Sequence, residues 1–339
     1  MRLLLVGPMP PPYGGTTVSF STLVGALQKK LKREDTLDVI NTNIGAKNIL
    51  PLLWKIFSQA KSADVISLHV GNRGALVLSP AVYLAARLFR KKVLTSKFGG
   101  RFHDYYEALN PVQQKLLDAT FFKSDKLLLE TRQLVDYFAD KNDHIAWFPT
   151  ARDIGDDSDI GLSADAPRVV FIGHIRNSKG VLELLAAARE LPSMTFDVYG
   201  PFYDGLDESL FDVVNVNYKG LLEPEQVIGV LREHDVFLMP TYYPGEGYPG
   251  ALIEAKIAGL AIITTHWRAI PELIDDGRNG ILVEPRRVDQ VVGALRELAD
   301  DPARLLAMKE QSRRSAHDFD LDNWSSALYG FYEALYKTG

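Results

Sequence analysis

The 339-residue sequence contains no cysteine and no long hydrophobic run. The absence of cysteine excludes disulfide bonds, thiolate metal ligands and cysteine nucleophiles. No stretch approaches the roughly 20 apolar residues that a membrane-spanning helix requires. The N-terminal run MRLLLVG is far too short for a signal peptide and meets prolines directly, so we interpret it as a first strand. Together these absences favour a cytoplasmic protein.

Negative charge is scarce in the first half of the chain. Residues 1–150 carry 20 Lys+Arg against 12 Asp+Glu, a net of +8, whereas the remaining residues carry 18 against 31, a net of −13. A basic half is typical of proteins that meet phosphates or an anionic membrane surface, although an ordinary solvated surface explains the same numbers. No nucleic-acid partner is expected.

The chain repeats one pattern four times: a short apolar strand, a glycine-rich or polar loop, and an amphipathic helix. Such alternation predicts an α/β fold of parallel sheets with helices on both faces. The polar and acidic stretch TARDIGDDSDIGLSADAP interrupts the pattern and is typical of a linker. We therefore expect two domains, residues 1–152 and 165–319, joined by a linker at 153–164.

Ligands of open parallel sheets bind beyond the carboxyl ends of the strands, and three loops lie at such positions. In PPPYGGTT, Gly14 and Gly15 lack Cβ atoms, so a diphosphate could approach the backbone at a helix N-terminus. A tight strand-to-helix turn explains the same glycines. In FIGHIRNSKG, Arg176 and Lys179 are suited to holding a diphosphate, while solvated surface charge is the alternative.

The third loop contains two carboxylates in the stretch EGYPGALIEAKIAG. Pro249 suits the first helical position and Gly259 suits the helix end, so Glu254 lies about one turn into the helix and Glu246 in the entry loop. Carboxylates accept hydrogen bonds from vicinal hydroxyls, each worth about 1.5–3 kcal/mol. The alternative, that both acids complement the helix dipole, explains Glu246 more easily than Glu254.

These motifs resemble retaining glycosyltransferases of the GT-B fold, family four. The resemblance rests on the E-G-x-P-x-x-x-x-E-A run, the upstream K-G, the N-terminal G-G loop and the downstream IPELIDDGRNGILVEP. It is strong from about residue 168 to 300 and looser over PPYGG, ADVISLHV and KFGGRF in the first half. The ordered set of motifs is specific, although no single motif is.

The resemblance implies two Rossmann-like doubly wound domains that face each other across a cleft. The last helix, at about residues 320–339, would cross back to the N-terminal domain, where Tyr329, Phe331 and Tyr332 would hold the domains together. The C-terminal domain would hold a UDP- or GDP-sugar, and the N-terminal domain would bind a saccharide or lipid-linked saccharide acceptor. The sugar would be transferred with retention in polysaccharide or glycoconjugate biosynthesis.

The resemblance also assigns roles to residues. Glu254 would hold the donor ribose, Glu246 would face hydroxyls of the transferred sugar, and Arg176 and Lys179 would neutralise the diphosphate leaving group. The other donor-binding positions would be Gly14, Gly15, Thr16, Gly173, Tyr248, Gly250 and Ala251.

Two positions depart from the family pattern. His174 follows Gly173 where many members have Gly-Arg, and Lys97-Phe98-Gly99-Gly100 stands where many have His-Gly. A histidine at the reactive centre is therefore missing at its motif position. We take His103 as its catalytic substitute and keep His69 as another, while a packed or exposed histidine is the alternative for each.

No cofactor and no metal ion are expected. Asp157-Ser158-Asp159 and Asp320-Leu321-Asp322 fit the Asp-x-Asp letters of metal-dependent sugar transferases, but the first lies in the linker and the second at a helix start. Neither follows a strand, so we expect full activity in the presence of a chelator.

The acceptor side of the protein is the least defined. In ILPLLWKIFSQAK, an apolar face is combined with Trp54, Lys55 and Lys61, which suits a helix lying on an anionic bilayer at the inner face of the membrane. A surface helix packed on the N-terminal domain is the alternative. Two other functions also fit: a sugar-nucleotide epimerase of the same architecture, and a non-catalytic nucleotide-sugar-binding subunit.

Overall fold

The computed structural model describes residues 1–12, 14–44, 48–155, 161 and 167–338. The chain forms two compact units. The N-terminal unit comprises Met1–Asp153 and Phe319–Gly339, and the C-terminal unit comprises Ile154–Asp318. Of the described helices, none is long and apolar enough to cross a membrane.

The N-terminal unit is built on a sheet of six parallel strands in the order β2-β1-β3-β4-β5-β6. The strands are β1 (Arg2–Gly7), β2 (Thr36–Asn41), β3 (Val65–Val70), β4 (Lys92–Lys97), β5 (Lys126–Leu129) and β6 (Ile145–Trp147). The helices are α1 (Gly15–Gln28), α2 (Ile49–Ala60), α3 (Asn72–Phe89), α4 (Phe102–Glu107), α5 (Pro111–Ala119) and α6 (Arg132–Tyr137).

The C-terminal unit repeats this plan, with all six strands parallel in the order β12-β11-β10-β7-β8-β9. The strands are β7 (Arg168–Ile172), β8 (Thr195–Tyr199), β9 (Val216–Tyr218), β10 (Val236–Met239), β11 (Ala261–Thr265) and β12 (Ile281–Val283). The helices are α7 (Val181–Glu190), α8 (Val227–Arg232), α9 (Gly250–Ala258), α10 (Val288–Asp300) and α11 (Pro302–Ser315). The predicted architecture of two doubly wound parallel sheets is confirmed.

Each face of the N-terminal sheet carries its own hydrophobic core. On one face, α2, α3 and α5 pack on the sheet through a shared cluster of buried side chains. On the other face, α1 and the last helix, α12 (Leu321–Lys337), pack through a second cluster. Residues of β3 are buried throughout, as expected of a strand covered on both faces.

The last helix belongs to the N-terminal unit, and its aromatic side chains have different environments. Tyr332 is fully buried, and its hydroxyl donates to Ser67 Oγ at 2.8 Å. The Tyr329 hydroxyl donates to Asp35 Oδ2 at 2.5 Å, while Phe331 is partly buried against the same core. These contacts bind α12 to the unit that contains it, and the proposed role between domains stays a prediction.

Helix α9 begins one residue later than the sequence predicts. Pro249 adopts an extended conformation (φ −62°, ψ 120°) and precedes the helix as its N-cap, so Gly250 is the first helical residue. Gly259 ends the helix in the left-handed conformation (φ 74°), as predicted. The difference arises because proline fits either position without needing a hydrogen-bond donor.

Candidate functional site

Two of the predicted loops meet at the carboxyl ends of neighbouring strands in the C-terminal unit. Strands β7 and β10 are adjacent, so the loops that follow them lie side by side. The backbone N–H of Tyr242 donates to the carbonyl of Ser178 at 2.8 Å, and the Thr241 hydroxyl donates to the same oxygen at 3.2 Å. The loop of Arg176 and Lys179 is thereby bonded to the loop of Glu246.

This close approach depends on Gly180, which ends the first loop. Its φ of 82° lies in the left-handed region, and a Cβ atom there would lie 2.3 Å from the carbonyl oxygen of Pro240. A second glycine has the same role at the other side of the loop: Gly200 has φ 137°, and a Cβ would lie 1.9 Å from the carbonyl oxygen of Gly173. Both glycines are therefore required by geometry.

Arg176 is held by two aromatic rings and one carboxylate. Its guanidinium carbon lies 5.0 Å from the ring centre of Tyr203 and 5.2 Å from that of Tyr243. Its Nη2 atom donates to Asp204 Oδ1 at 3.3 Å, and the Asp204 side chain is 42% exposed. The Nε atom is buried and has no hydrogen-bond partner among the described residues. A directed donor is therefore available for an anionic ligand.

Lys179 and Glu246, which the sequence predicts as separate contacts to two parts of a ligand, form a salt bridge with each other. The side chain of Glu246 is 3% exposed and that of Lys179 15%. The Lys179 ammonium also lies 5.3 Å from the ring centre of Tyr243. The pair therefore satisfies two charges in a largely buried position, where an unpaired charge would be costly.

His174 lies beside these cations in place of the arginine of the family pattern. Its ring stacks on Tyr203, with centroids 4.4 Å apart and an interplanar angle of 28°. Burial lowers the pKa of His174, and the charges of Lys179 and Arg176 lower it further. The imidazole is therefore neutral near pH 7, so the positive charge of this loop comes from Arg176 and Lys179.

The N-terminus of α9 faces the same loops. Because the first amides of a helix have no intrahelical acceptor, the N–H groups of Gly250 and Ala251 are suited to an anion or a sugar oxygen. Glu254 lies one turn further along and is partly buried. The Tyr248 hydroxyl donates to Glu272 Oε2 at 2.5 Å and is held by it in a buried position.

Sequence reasoning missed several residues that support this site. Glu272 lies in the short 3₁₀ helix Ile270–Glu272, and the motif IPEL after β11 was the available signal. The Trp267 indole donates to the carbonyl of Tyr243 at 2.9 Å, and Arg286 lies 4.6 Å from the ring centre of Tyr242. These contacts cross between elements far apart in sequence, so local patterns do not reveal them.

The glycine loop of the N-terminal unit lies at the carboxyl end of β1. Gly14 caps α1, its N–H donates to Thr17 Oγ1 at 3.0 Å, and Thr16 follows in the first turn. A Cβ atom at Gly14 or Gly15 would meet nothing within 4 Å, so packing does not demand these glycines. The ligand contact that the sequence predicts for these glycines stays a prediction.

The two histidine candidates differ in environment. His69 is the last residue but one of β3 and is fully buried. Its Nε2 lies 2.9 Å from Ser67 Oγ, and burial lowers its pKa to about 3. This environment fits the alternative of a packed histidine. His103 lies in α4, where its Nε2 is 2.9 Å from Asp104 Oδ1 and its side chain is 13% exposed. Its predicted catalytic role stays a prediction.

Two buried titratable residues of the N-terminal unit, Lys97 and Glu130, were not predicted. Lys97, at the end of β4, is 1% exposed, and burial lowers its pKa to about 7 although the charge of Glu130 opposes the shift. Its ammonium donates to the carbonyl of Phe98. Glu130, just after β5, accepts from the N–H of Gly99 at 2.5 Å and from the Thr150 hydroxyl. These bonds fix the KFGG loop.

Only one of the two Asp-x-Asp sequences, Asp320-Leu321-Asp322, lies in the described part of the chain. Among the described residues, no group of three or more His, Cys, Asp or Glu side chains could hold a metal ion. Asp320 instead caps α12, where its side chain accepts from the N–H of Asp322. Asp157-Ser158-Asp159 lies outside the described residues.

Comparison with known proteins shows what the C-terminal unit is similar to. Residues 166–301 match the family described as glycosyl transferases group 1. D-inositol 3-phosphate glycosyltransferase of Rhodococcus jostii is 28% identical over 189 residues, 51% of this chain and 41% of the relative. The Rhodococcus opacus protein of the same name is 27% identical over 240 residues, 62% of this chain and 53% of the relative. The chain spans about half the length of these curated relatives.

Solved structures show the same fold over the whole chain. Anabaena HepE in complex with UDP has a TM-score of 0.77 and 14% identity, covering 98% of this chain and 100% of that one. Sucrose-phosphate synthase from Thermosynechococcus elongatus has a TM-score of 0.76 and 15% identity, covering 100% of both chains. The resemblance to the GT-B fold is confirmed, and residues 166–301 match the group 1 glycosyl transferase family.

Proposed function

We propose that this protein is a retaining glycosyltransferase that moves a sugar from a UDP- or GDP-sugar to a hydroxyl of a saccharide or lipid-linked saccharide. One observation carries the proposal: Arg176 and Lys179 lie beside the N-terminus of a helix that also bears Glu254, with Glu246 in the adjoining loop. Cations and free amides suit a diphosphate, and the carboxylates suit sugar and ribose hydroxyls.

In the proposed reaction, the bond from the sugar's anomeric carbon to the diphosphate breaks through an oxocarbenium-like transition state. The acceptor hydroxyl attacks the same face, and its proton leaves with the departing diphosphate. Negative charge grows on the leaving group, where the unpartnered Nε of Arg176 and the ammonium of Lys179 would stabilise it. One well-placed donor is worth about 3–4 kcal/mol in such a role.

The salt bridge between Lys179 and Glu246 gives this reaction a binding-dependent step. A diphosphate competes with Glu246 for the Lys179 ammonium, because both ligands are anionic. As Lys179 turns to the diphosphate, the Glu246 carboxylate becomes available to a hydroxyl of the transferred sugar. Glu254 would accept hydrogen bonds from the donor ribose, and neutral His174 would add no charge of its own.

No metal ion is included in the proposal, since Arg176 and Lys179 supply positive charge where a divalent ion would otherwise be needed. We expect the rate of transfer to be the same in buffer with and without a chelator. A rate that falls with the chelator and recovers with Mg²⁺ or Mn²⁺ would contradict this part of the proposal.

A thermal-shift screen of UDP-, GDP- and ADP-sugars tests the proposal directly. We expect at least one of them to raise the melting temperature of the wild type, and Arg176→Ala to reduce that shift. Arg278→Ala is the matched control, because Arg278 is 68% exposed and pairs with Asp275 at the surface of the same unit. The transferase proposal fails if no nucleotide sugar binds.

Two other functions are separated by product analysis. A sugar-nucleotide epimerase would convert its nucleotide sugar without any acceptor, whereas a transferase releases the nucleoside diphosphate as the acceptor is glycosylated. His174 in place of the arginine of the family pattern favours a third candidate, a subunit that binds nucleotide sugar without transferring it. That subunit would show a thermal shift but no transfer in any acceptor mixture.

The location of the proposed enzyme follows from its expected acceptor. We place it in the cytoplasm, where nucleotide sugars are available, and at the inner face of the membrane if the acceptor is linked to lipid. Polysaccharide or glycoconjugate biosynthesis is the process that would use such a product. The basic N-terminal half of the chain supports this placement.

A further inference from the structure

Three helices of the N-terminal unit present apolar side chains to solvent. Helices α2, α3 and α5, here called the helix layer, cover one face of the sheet. In α2, Leu50 and Trp54 are each 74% exposed, and in α3 Leu84 is 59% and Leu88 64% exposed. In α5, Val112 is 76% exposed. A concentration of large exposed hydrophobic residues on one side of a protein indicates an interaction site.

These side chains share one surface because the three helices share one core. Their inner faces enter the same hydrophobic cluster, which also contains Leu4 and Ile66 of the sheet. Helix α3 contacts both α2 and α5, so it lies between them. On α2 and α3 the exposed residues are spaced by one turn, as Leu50 with Trp54 and Leu84 with Leu88. The apolar stripes therefore run along the outer surface of a single layer.

The charge of α2, α3 and their flanks is almost entirely positive, whereas α5 contains one Lys and one Asp. Between residues 39 and 103 the sequence has ten Lys and Arg residues and a single carboxylate, Asp64. Asp64 accepts a hydrogen bond from the backbone N–H of Arg2 at 2.7 Å. Within the described part of the chain, no carboxylate forms a salt bridge with six of the basic residues of α2, α3 and their flanks. They are Lys55, Lys61, Arg73, Arg87, Arg90 and Lys91.

We propose that the outer surface of the helix layer docks on an anionic lipid bilayer. Apolar side chains that enter the acyl boundary, surrounded by basic side chains at headgroup level, match both properties of such a bilayer. A second copy of this chain would match the apolar side chains but not the basic ones. A symmetric contact would bring the unpaired basic residues of the two copies against each other. Charge complementarity therefore favours lipid over self-association.

Docking would place the enzyme where a lipid-linked acceptor is found, and only this consequence rests on the proposed function. Binding to lipid requires neither a nucleotide sugar nor transfer. Lipid binding and nucleotide binding can therefore be measured separately on the same preparation of the full-length chain.

The test is flotation of the full chain with vesicles of phosphatidylglycerol and phosphatidylcholine in equal parts. We expect the protein to float with these vesicles at about 0.1 M salt and to be released at about 1 M salt, as the Debye length falls from about 10 Å to about 3 Å. Vesicles of phosphatidylcholine alone should bind much less protein, because they lack the negative surface charge.

Single substitutions test whether the helix layer is the surface that contacts the vesicles. Trp54→Ser should weaken vesicle binding about tenfold or more, because a large apolar side chain no longer enters the bilayer. Val214→Ser is the matched control, since Val214 is 96% exposed in the C-terminal unit. Lys55→Gln should weaken binding about fivefold, whereas Arg189→Gln, at an exposed position on α7, should have no effect.

Two results would overturn the proposal. The first is no binding to anionic vesicles at low salt, or binding that Trp54→Ser leaves unchanged. The second is concentration-dependent dimerisation that Trp54→Ser abolishes without any binding to vesicles, which would make the helix layer an interface between copies of the chain. A nucleotide-dependent thermal shift in the same samples would show that the proposed function survives either result.

Discussion

Lys179 and Glu246 are 67 positions apart in the sequence and form one buried pair at the strand ends of the C-terminal unit. In the proposed function Lys179 would contact the diphosphate and Glu246 the sugar, so their contact would couple the two ligand positions. The coupling has a structural cost: if one partner loses its charge, the other stays largely buried without compensation. Substitution at either residue should therefore affect both stability and turnover.

We predict that Glu246→Gln lowers the free energy of unfolding by about 1–3 kcal/mol, because Lys179 loses a charged hydrogen-bond partner. Transfer should also fall, while nucleoside diphosphate binding persists through the cations. Urea denaturation and steady-state kinetics measure the two effects. Glu297→Gln is the control: its pair with Arg304 is more than 40% exposed on both sides, so about 0.5 kcal/mol or less is expected. Equal losses in both variants would contradict the account.

The buried side chain of Lys97 predicts that the stability of the protein depends on pH. Lys97 has a pKa of about 7 in the folded protein against 10.5 in the unfolded chain, so the unfolded chain binds more protons between these values. Stability gained from this group therefore rises with pH from about 7 to about 10.5, by at most about 1.4 kcal/mol per pH unit. Burial has the largest influence on the pKa of Glu130 and raises it. Hydrogen bonds from Thr150 and Gly99 and the charges of Lys97 and Arg152 lower that pKa.

Lys97→Met tests whether the stability contributed by Lys97 rises with pH. In urea denaturation at pH 7, 8 and 9, the free energy of unfolding of the wild type should rise relative to that of the variant. Groups that do not interact with Lys97 cancel in the difference, so the remaining change comes from Lys97 and its neighbour Glu130. The same difference at all three pH values would contradict the shifted pKa of Lys97.

At this scale the sequence is informative only where a residue's position in the strand-loop-helix pattern decides its role. Arg176 and Glu254 could be named because they follow apolar strands or enter a helix. Lys97 and Glu272 could not, since their partners, Glu130 and Tyr248, lie on other elements. Candidate residues such as Arg176 and Glu254 can thus be proposed from the sequence. The residues that contact and position other side chains can be found only in the folded chain.

The elements that carry the site depend on the absence of a side chain at Gly180. Gly180 lies between the loop of Arg176 and helix α7, and the loop after β10 passes directly over it. The sequence shows only a K-G pair before a helix. It does not show that the glycine faces the backbone of Pro240, because that contact depends on the order of strands in the sheet.

We predict that Gly180→Ala lowers the free energy of unfolding by about 2–3 kcal/mol, through left-handed strain and a collision with a backbone oxygen. Gly229→Ala is the matched control, because Gly229 lies exposed in α8 and a Cβ there meets nothing within 4 Å. The control should be neutral or stabilising by up to about 1 kcal/mol. Chemical denaturation compares the two, and an equal effect would show that the close approach is unimportant.

Helix α12 provides a second prediction for an element. Tyr332→Ala should cost about 3–5 kcal/mol of stability, since it empties a fully buried position in the core of the N-terminal unit. Tyr336→Ala, one turn later on the same helix, should cost about 0.5 kcal/mol or less, because Tyr336 is 51% exposed. If thermal denaturation showed similar losses, α12 would not be packed as described.

For the whole molecule, the sequence predicts the fold because its motifs recur in order and each α/β repeat is locally consistent. The two six-stranded parallel sheets and the solved GT-B structures of the same fold confirm that prediction. The sugar, the nucleotide and the acceptor are not predictable in the same way. They depend on how loops are shaped around a ligand, and on surfaces such as the helix layer whose partner lies outside the chain.

The central claim is that Arg176 and Lys179 bind the diphosphate of a nucleotide sugar. Calorimetric titration of UDP and GDP, compared with the corresponding nucleosides, tests it most directly. The account predicts that the wild type binds one diphosphate far more tightly than its nucleoside, and that Arg176→Ala and Lys179→Ala each reduce this preference by about 10- to 100-fold. Arg278→Ala should leave it unchanged. Equal affinity for the nucleoside and its diphosphate in the wild type, or an undiminished preference in both variants, would contradict it.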